Sequence, residues 1–219
     1  MSRSDPGNAV FLIALVLLSG CATSRSELQI GVPGASAASS DSKAPTVQIR
    51  AVKDGRVFEE SPRDPSTPSL GFEGAAAASA DVKARAIGRK RNTFGAALGD
   101  ILVGEGQTVA GLVRSTLTNA ATDAGFRPVD GRSGEPASLV IDVDIRKFWA
   151  WTQPGFAAIT MYTDIQADLQ ISSRPAPVTV ATRIAESRQM GTESAWMETI
   201  EKALQAFRQE ARAQLQAVR

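Results

Sequence analysis

Two kinds of hydrophobic periodicity alternate along the chain. In four segments, apolar side chains occupy every second position with polar side chains between them, which is typical of strands with one buried face. These segments are residues 46–52, 139–146, 157–171 and 178–185. In two others, residues 107–124 and 193–218, apolar side chains recur at spacings of three and four, which predicts amphipathic helices. Thr192 is in position to cap the second helix.

The order of these elements predicts the fold class. Shorter alternations at residues 26–32 and 126–129 predict two further strands. The Ala/Ser-rich stretch 34–45 predicts a linker, and the proline-rich stretch 60–74 predicts an exposed loop. Both helices have an apolar stripe that matches one apolar face of the sheet. We therefore expect an α+β fold, a two-layer sandwich in which a mainly antiparallel sheet packs against two helices.

The first residues carry the most specific motif of the sequence. Residues 9–18 form an unbroken apolar run, too short to span a hydrocarbon core of about 30 Å but typical of a secretory signal peptide. The run leads into Leu18-Ser19-Gly20-Cys21, which matches the cleavage motif of bacterial lipoproteins. An ordinary signal peptide with an incidental cysteine is the alternative. Because Cys21 is the only cysteine, we favour its conversion to diacylglyceryl cysteine, with palmitate as a further acyl group.

Cleavage before Cys21 divides the chain into three parts. Residues 1–20 are a lipoprotein signal peptide, residues 21–45 a lipidated N-terminus with a short strand and linker, and residues 46–219 a single α+β periplasmic domain. Several acyl chains hold a protein firmly on a membrane, whereas one chain alone binds only marginally. Ala22 rather than Asp follows the cysteine, and similarity to Gram-negative lipoproteins then implies the periplasmic face of the outer membrane.

Composition removes most catalytic chemistries. The 219 residues include no histidine and one cysteine, which excludes a Ser-His-Asp triad, a Cys-His pair, a histidine-based metal site and an intrachain disulfide. The 24 basic and 23 acidic side chains give a net charge of +1, so no global field attracts nucleic acid. We therefore expect a protein that is not an enzyme and that binds no cofactor, metal ion or nucleic acid.

Four aspartates lie on the predicted polar face of the sheet: Asp142, Asp144, Asp164 and Asp168. Two carboxylates at the right separation serve as acid and base in glycosidases, so a carboxylate-dependent cell-wall hydrolase is one hypothesis. A solvated sheet face, with Arg146 and nearby bases as ion partners, is the alternative. We favour the solvated face, because spacing by two along a strand follows from exposure alone.

A dense group of cations precedes the first helix, and we name it the basic cluster. Its members are Lys83, Arg85, Arg89, Lys90 and Arg91. The interleaved small apolar residues predict that this segment begins as a strand and ends as a loop. Such a cluster suits anionic lipid headgroups, lipopolysaccharide phosphates or an acidic protein surface. A solvated run of charges is an equally good interpretation.

Three aromatic residues surround the predicted turn at residues 152–155. Trp149, Trp151 and Phe156 include two of the three tryptophans of the chain. Aromatic side chains at an exposed turn are typical of a protein contact site. They also cover the end of a hydrophobic core, which is the commoner use of tryptophan, and we favour that interpretation.

These segments together resemble a known family. The lipoprotein motif, the stretch Ala86-Ile87-Gly88-Arg89-Lys90-Arg91-Asn92, the helix after it, and Phe148-Trp149-Ala150-Trp151 before Pro154-Gly155-Phe156 are similar to the YajG-like outer-membrane lipoprotein family. The resemblance implies a small envelope lipoprotein without catalytic residues. The α+β arrangement is also similar to auxiliary lipoproteins of ABC-type lipid transport systems.

Three functions follow as hypotheses. The first is a non-enzymatic binding or adaptor lipoprotein, anchored through Cys21, whose partner is an anionic lipid or an envelope protein. The second is an auxiliary lipoprotein of an envelope lipid transport system, which requires an apolar groove between sheet and helices. The third is the cell-wall hydrolase, which requires two of the sheet aspartates to converge in a cleft.

Overall fold

The computed structural model describes residues 25–34, 43–71, 74–92, 94–131 and 134–219. The predicted signal peptide and Cys21 lie outside the described residues. None of the helices in these ranges is long and apolar enough to cross a membrane.

Eight strands and four helices make up the described fold, numbered here in chain order. The strands are β1 Ser26–Leu28, β2 Thr46–Asp54, β3 Ala86–Arg91, β4 Ala97–Val103, β5 Arg127–Pro128, β6 Leu139–Pro154, β7 Ile159–Ile171 and β8 Val178–Arg188. The helices are α1 Gly74–Ala77, α2 Ala80–Arg85, α3 Val109–Asp123 and α4 Glu193–Gln216. The fold is mixed α/β, and its two long helices and long strands are those that the periodicity predicts.

The sixteen-residue strand β6 organises the sheet. Along one edge it pairs with β7, which in turn pairs with β8, so the predicted antiparallel meander is confirmed. Its other edge is shared by two strands. The first half pairs with β2, from Val47 opposite Leu139 to Asp54 opposite Ile145, and Gly88 of β3 pairs further along, opposite Ala150. Outside them, β5 adds to β2, while β4 and then β1 add to β3.

The prediction of a mainly antiparallel sheet is wrong. Of the seven strand pairings described, β1–β4, β2–β5, β2–β6 and β3–β6 are parallel, and β3–β4, β6–β7 and β7–β8 are antiparallel. The chain leaves β2 and returns to β6 through a long connection that includes α3, and such crossovers bring a strand back in the same direction. Periodicity reports which face of a strand is buried and says nothing of its direction.

The two long helices pack on one face of the sheet over a continuous core. The hydroxyl oxygens of Thr108 and Thr192 accept hydrogen bonds from backbone N–H groups in the first turns of α3 and α4, so each helix begins immediately after its cap. The stripe on α4 is buried as predicted, with Ile200, Leu204 and Phe207 fully inside. The core therefore forms one layer between sheet and helices.

The opposite face of the sheet is covered in part by the chain between β2 and β3. Most of residues 60–71 lack regular structure, as the prolines predict, yet the stretch is not wholly exposed, because Ser69 and Leu70 are buried. Leu70 packs in a second apolar cluster with Ala86, Leu102, Trp149 and Trp151. The sandwich is therefore three layers deep here, which a two-layer prediction misses.

Candidate functional site

The folded domain begins close to the predicted lipid attachment point. Only Ala22, Thr23 and Ser24 lie between Cys21 and Arg25, the first described residue. From Ser26 onward the chain is fixed in the sheet by β1, which pairs in parallel with β4. Four residues of chain span at most about 14 Å, so the predicted lipid on Cys21 would hold the domain close to a membrane surface.

Hydrogen bonds from three elements fix β1 and the residues after it. The Ser26 hydroxyl donates to Glu193 Oε1 at the start of α4 (2.9 Å) and accepts from Lys90 Nζ (2.8 Å). The side chain of Gln107 bonds both backbone groups of Ile30, accepting from its N–H (2.9 Å) and donating to its carbonyl (2.8 Å). The N-terminal strand is therefore an integral part of the fold.

The basic cluster does not form one continuous surface. Arg89 and Arg91 lie on the face covered by the chain after β2, where Arg89 Nη1 donates to Ser69 Oγ (3.2 Å) and Arg91 Nη2 to the Pro62 carbonyl (3.4 Å). Lys90 points to the opposite face and bonds Ser26. The alternation of a strand explains the split, since β3 extends to Arg91 and does not end as the predicted loop.

The two cluster members on α2 are also tied to the fold. Arg85 donates to the Val103 carbonyl from Nε (3.0 Å) and Nη2 (2.9 Å), and its Nη2 lies 2.8 Å from Glu27 Oε1. The hydrogen bond that Arg85 donates to Glu27 raises the pKa of Arg85. Burial, with a smaller contribution from the nearby Arg89 charge, lowers the pKa of Arg91. Lys83 is half-buried. At most a few of these cations are therefore available to a ligand.

The aromatic residues around the β6–β7 turn likewise separate. Trp149 is fully buried, with its Nε1 donating to the Pro65 carbonyl (3.1 Å) and its ring edge-on to Phe58 at 6.1 Å between centroids. Trp151 is buried and stacks on Tyr162 at 5.1 Å. Phe156, at the tip of the turn, is completely exposed. The two indoles belong to the second apolar cluster, and Phe156 alone belongs to the surface.

A cationic pair surrounds the stacked rings. Lys147 Nζ and the Arg183 guanidinium each lie 5.5 Å from the Trp151 ring centre. Both also bind Asp164, with Arg183 forming two hydrogen bonds of 2.6 Å and Lys147 an ion pair of 2.9 Å. Burial raises the pKa of Asp164, but the hydrogen bonds from Arg183 and Lys147 outweigh it and hold the pKa below its ordinary value.

The other aspartates of the polar face are paired with cations too. Asp142 bonds Arg50, which lowers the pKa of Asp142. Asp168 accepts from Arg146 Nε (2.7 Å) and from a threonine hydroxyl, and both bonds lower its pKa. Asp144 lies 3.0 Å from Arg146 Nη1. The pairing with cations agrees with the interpretation that we favoured, whereas Asp164 is buried and not solvated. Within the described ranges no group of three or more potential ligands is arranged to hold a metal ion.

Three buried charged residues escape the sequence interpretation: Arg56, Asp100 and Arg208, which binds Asp123 between the two long helices (2.6 Å). Arg56 has a fully buried side chain that forms bidentate bonds to Asp54 (2.8 and 2.7 Å) and donates to the carbonyls of Lys83 (2.7 Å), Ala86 and Phe148 (3.2 Å). It lies where β2 leaves β6 and β3 joins it. No periodicity marks an arginine in an irregular segment, so no sequence signal identifies it.

Asp100 is the second such residue. It is fully buried in β4, where it accepts hydrogen bonds from the Gly71 N–H (2.7 Å) and from Arg25 Nε (3.3 Å). A lone charge within the apolar run of β4 is a signal that could have identified it, because buried charges in proteins require partners. The carboxylate joins the N-terminal segment to the chain that covers the second face.

A cavity opens at one edge of the sheet, between strand β2 and helix α3. It has a volume of about 640 Å³ and lies beside β2 and α3, where Gln48, Arg50, Arg114, Thr118 and Asp130 contribute polar groups. Val47, Ile49, Pro128 and Val129 add apolar groups to its lining. Away from this edge, the layer beneath α3 and α4 is filled by buried side chains.

Comparison with known proteins gives no family. The chain matches no protein-family model and no curated protein. Among solved structures it is similar to protein XCC0632 from Xanthomonas campestris, of the DUF330 family (TM-score 0.45, 13% identity, 88% of this chain and 95% of that one). It also resembles a predicted lipoprotein from Caulobacter crescentus CB15 (TM-score 0.32, 13% identity, 50% and 81%) and the PelC dodecamer from Paraburkholderia phytofirmans (TM-score 0.26, 17% identity, 48% and 79%). Likeness at this level does not assign a function.

Proposed function

We propose that this chain is a lipid-anchored lipoprotein of the cell envelope, placed on the periplasmic face of the outer membrane, whose domain binds a partner without catalysing a reaction. The observation that carries the proposal is the lipoprotein motif ending in Cys21, followed after three residues by a domain that is fixed from its first strand. The anchor confines the domain to a thin layer at the membrane, which raises its effective concentration toward any partner there.

The carboxylates support a role without catalysis. A glycosidase needs one carboxylic acid that stays protonated near the working pH, which requires a raised pKa. The pKa values of Asp142, Asp164 and Asp168 are instead lowered by their cationic partners. Each of these aspartates is therefore an anion that balances an arginine, and none is prepared to donate a proton.

We call the polar sheet face with Asp142, Asp144, Asp164 and Asp168 the open sheet face. An envelope protein is the partner that this face suits best. Most of its charges are neutralised within the face, so it has little net charge to attract anionic lipid. Arg183 and Arg146 remain 61% and 50% exposed while their inner sides bind aspartates. Such fixed guanidinium groups offer hydrogen bonds to a protein surface without being reordered on binding.

Metabolic labelling with palmitate tests the anchor. The full chain is expressed in a Gram-negative host, and the membranes are fractionated and analysed by intact mass. We expect label, loss of residues 1–20 and outer-membrane fractionation for the parent chain and for the control Ser19→Ala, which keeps a small residue before the cleavage site. Cys21→Ser should lose the label and the membrane association. An unmodified Cys21 in the mature protein would refute the proposal.

Crosslinking on intact cells tests the binding role. A photoreactive residue is placed at Ala181, an exposed position on β8 that shares the sheet face of Arg183, and at Gln209 on α4 as the control. We expect a discrete adduct with an envelope protein from the first position and none from the second. Equal absence of adducts at both positions would count against a protein partner on the sheet face and leave the anchor unaffected.

A further inference from the structure

Several connections meet at one end of the sheet. Pro154 of β6 pairs with Ile159 of β7, and Ile159 pairs with Arg188, the last residue of β8. On the other side, β3 runs parallel to β6, and its last residue Arg91 pairs with Ala97 of β4. The turns at residues 92–96 and 155–158 and the connection at 189–192 therefore lie side by side. We name this the anchor end of the sheet.

The N-terminal end of β1 also points toward the anchor end. Ser26 pairs with Ile101, which is four residues into β4 from its first residue, Ala97. Because β1 and β4 are parallel, the chain before Ser26 comes from the side of Ala97. Four residues of strand correspond to about 13 Å. Four residues separate Cys21 from Ser26, and these five steps of extended chain span at most about 18 Å, so Cys21 can reach the level of the turns but cannot extend far beyond it.

Exposed apolar side chains are concentrated at the anchor end. Phe94 is 93% exposed, Phe156 is fully exposed and Met190 is 70% exposed, and each belongs to a different one of the three connections. Leu98, near the start of β4, is also exposed. Of the exposed large hydrophobic residues in the described ranges, only Val57 lies elsewhere. Such a concentration on a protein that is otherwise polar outside marks an interaction site.

Hydrogen bonds brace the two turns that carry the phenylalanines. The Asn92 side chain accepts hydrogen bonds from the N–H groups of Phe94 and Ala96 (both 2.9 Å), and the Asn92 N–H donates to the Ala96 carbonyl (2.9 Å). In the other turn the Gly155 N–H donates to the Ala158 carbonyl (2.9 Å). Hydrogen bonds therefore hold both turns in place, and each ring is exposed at its turn.

We propose that the anchor end faces the membrane and that Phe94, Phe156 and Met190 insert into the same lipid leaflet as the acyl chains on Cys21. The inference rests on the proposed lipid anchor and adds the orientation of the domain to it. With strands about 4.8 Å apart, the three side chains form a row roughly 20 Å long across the end of the sheet. A lipid surface is the occupant that the short link to Cys21 brings to this row.

Single labelled cysteines test this orientation in the lipidated full chain. Cys21 is the only cysteine, and acylation blocks its thiol, so an introduced cysteine is the only free one. Phe94→Cys, Phe156→Cys and Met190→Cys are each labelled with a polarity-sensitive fluorophore and reconstituted into phosphatidylethanolamine–phosphatidylglycerol vesicles. The controls are Val57→Cys, in the middle of the molecule, and Ser173→Cys, in the β7–β8 turn at the opposite end.

We expect a blue shift and quenching by spin-labelled lipid at positions 94, 156 and 190, and neither effect at 57 and 173. If the protein floats with the vesicles but all five labels report water, the orientation is refuted and the anchor stands. If the protein does not float, the anchor itself fails. Blue-shifted emission that lipid does not quench, and that rises with protein concentration, would show that a second protein copy covers the row and would refute a lipid occupant.

Discussion

Replacing Arg56 tests what stabilises the junction at which β2 leaves β6 and β3 joins it. The guanidinium lies where β2 ends and β3 begins to pair with β6, and it satisfies the carbonyls of Lys83, Ala86 and Phe148. With Arg56 present, each of these three carbonyl groups has a hydrogen-bond donor and needs no contact with water. Arg56→Ala leaves them in an apolar setting and leaves Asp54 without its bidentate partner.

The size of the effect follows from these losses. Removing one member of a buried ion pair costs about 3–5 kcal/mol, because the remaining charge and acceptors stay desolvated. For a domain of this length about 1 kcal/mol corresponds to roughly 2–4 °C, so Arg56→Ala should lower the melting temperature by on the order of 10 °C. Arg56→Lys should lose less, about 1–3 kcal/mol, since an ammonium keeps the charge but not the planar set of donors.

Urea titration of the purified variants, followed by circular dichroism, measures these differences. Arg50→Ala is the matched control, because Arg50 also pairs with an aspartate, Asp142, but its side chain is 64% exposed. Exposed pairs contribute about 0–1 kcal/mol. If Arg56→Ala unfolds within about 1 kcal/mol of the parent, the guanidinium does not hold the junction together and the reasoning is wrong.

Three further predictions concern the core, one glycine and the pH dependence. Trp149→Ala should lower the free energy of unfolding by about 3–5 kcal/mol, whereas Phe156→Ala, on the surface, should change it by no more than about 0.5 kcal/mol; equal effects would contradict the burial of Trp149. Gly88→Ala should destabilise the fold by about 1–3 kcal/mol, because the new methyl group would lie 2.7 Å from the Ala150 carbonyl oxygen, and thermal melting measures it. Asp164 has a folded pKa below its ordinary value of 3.8, so its ion pairs stabilise the fold above that pH, and this contribution is lost as the pH falls through the folded pKa. Unfolding midpoints from pH 7 to pH 2 should therefore fall less steeply below about pH 4 in Asp164→Asn than in the parent; parallel curves would refute this.

Periodicity was sufficient to predict the meander and the two long helices, because each has one face against the core and the other in water. It was insufficient for β3 and β4. In β3 three consecutive cations mask the alternation. Strand β4 is buried on both faces, and one of these faces carries Asp100. The parallel pairing of β2 could not be predicted from the sequence pattern either, because the connection, and not the strand itself, decides the direction of the strand.

The contact residues were harder to assign than the elements. In the first half of β6 the residues that face the helices have odd numbers: Leu139, Ile141, Val143 and Ile145. This pattern ends at a bulge between Ile145 and Lys147. Beyond the bulge, the residues facing the helices have even numbers, and the two indoles turn to the opposite face. One extra residue reverses the sides of a strand, and nothing in the local sequence marks it.

The bulge in β6 links the fold to the proposed role. Before it, the outer face of the strand is an open row of paired charges, and after it the same face carries the indoles beneath the chain from β2. The covered half leads to the anchor end, and the open half leads away from it. In the orientation that we propose, the apolar turns lie at the lipid surface while the charged face stands on the side of the domain further from it. A partner in the periplasm can then reach the charged face without displacing the domain from the membrane, so anchoring and binding use different parts of one strand.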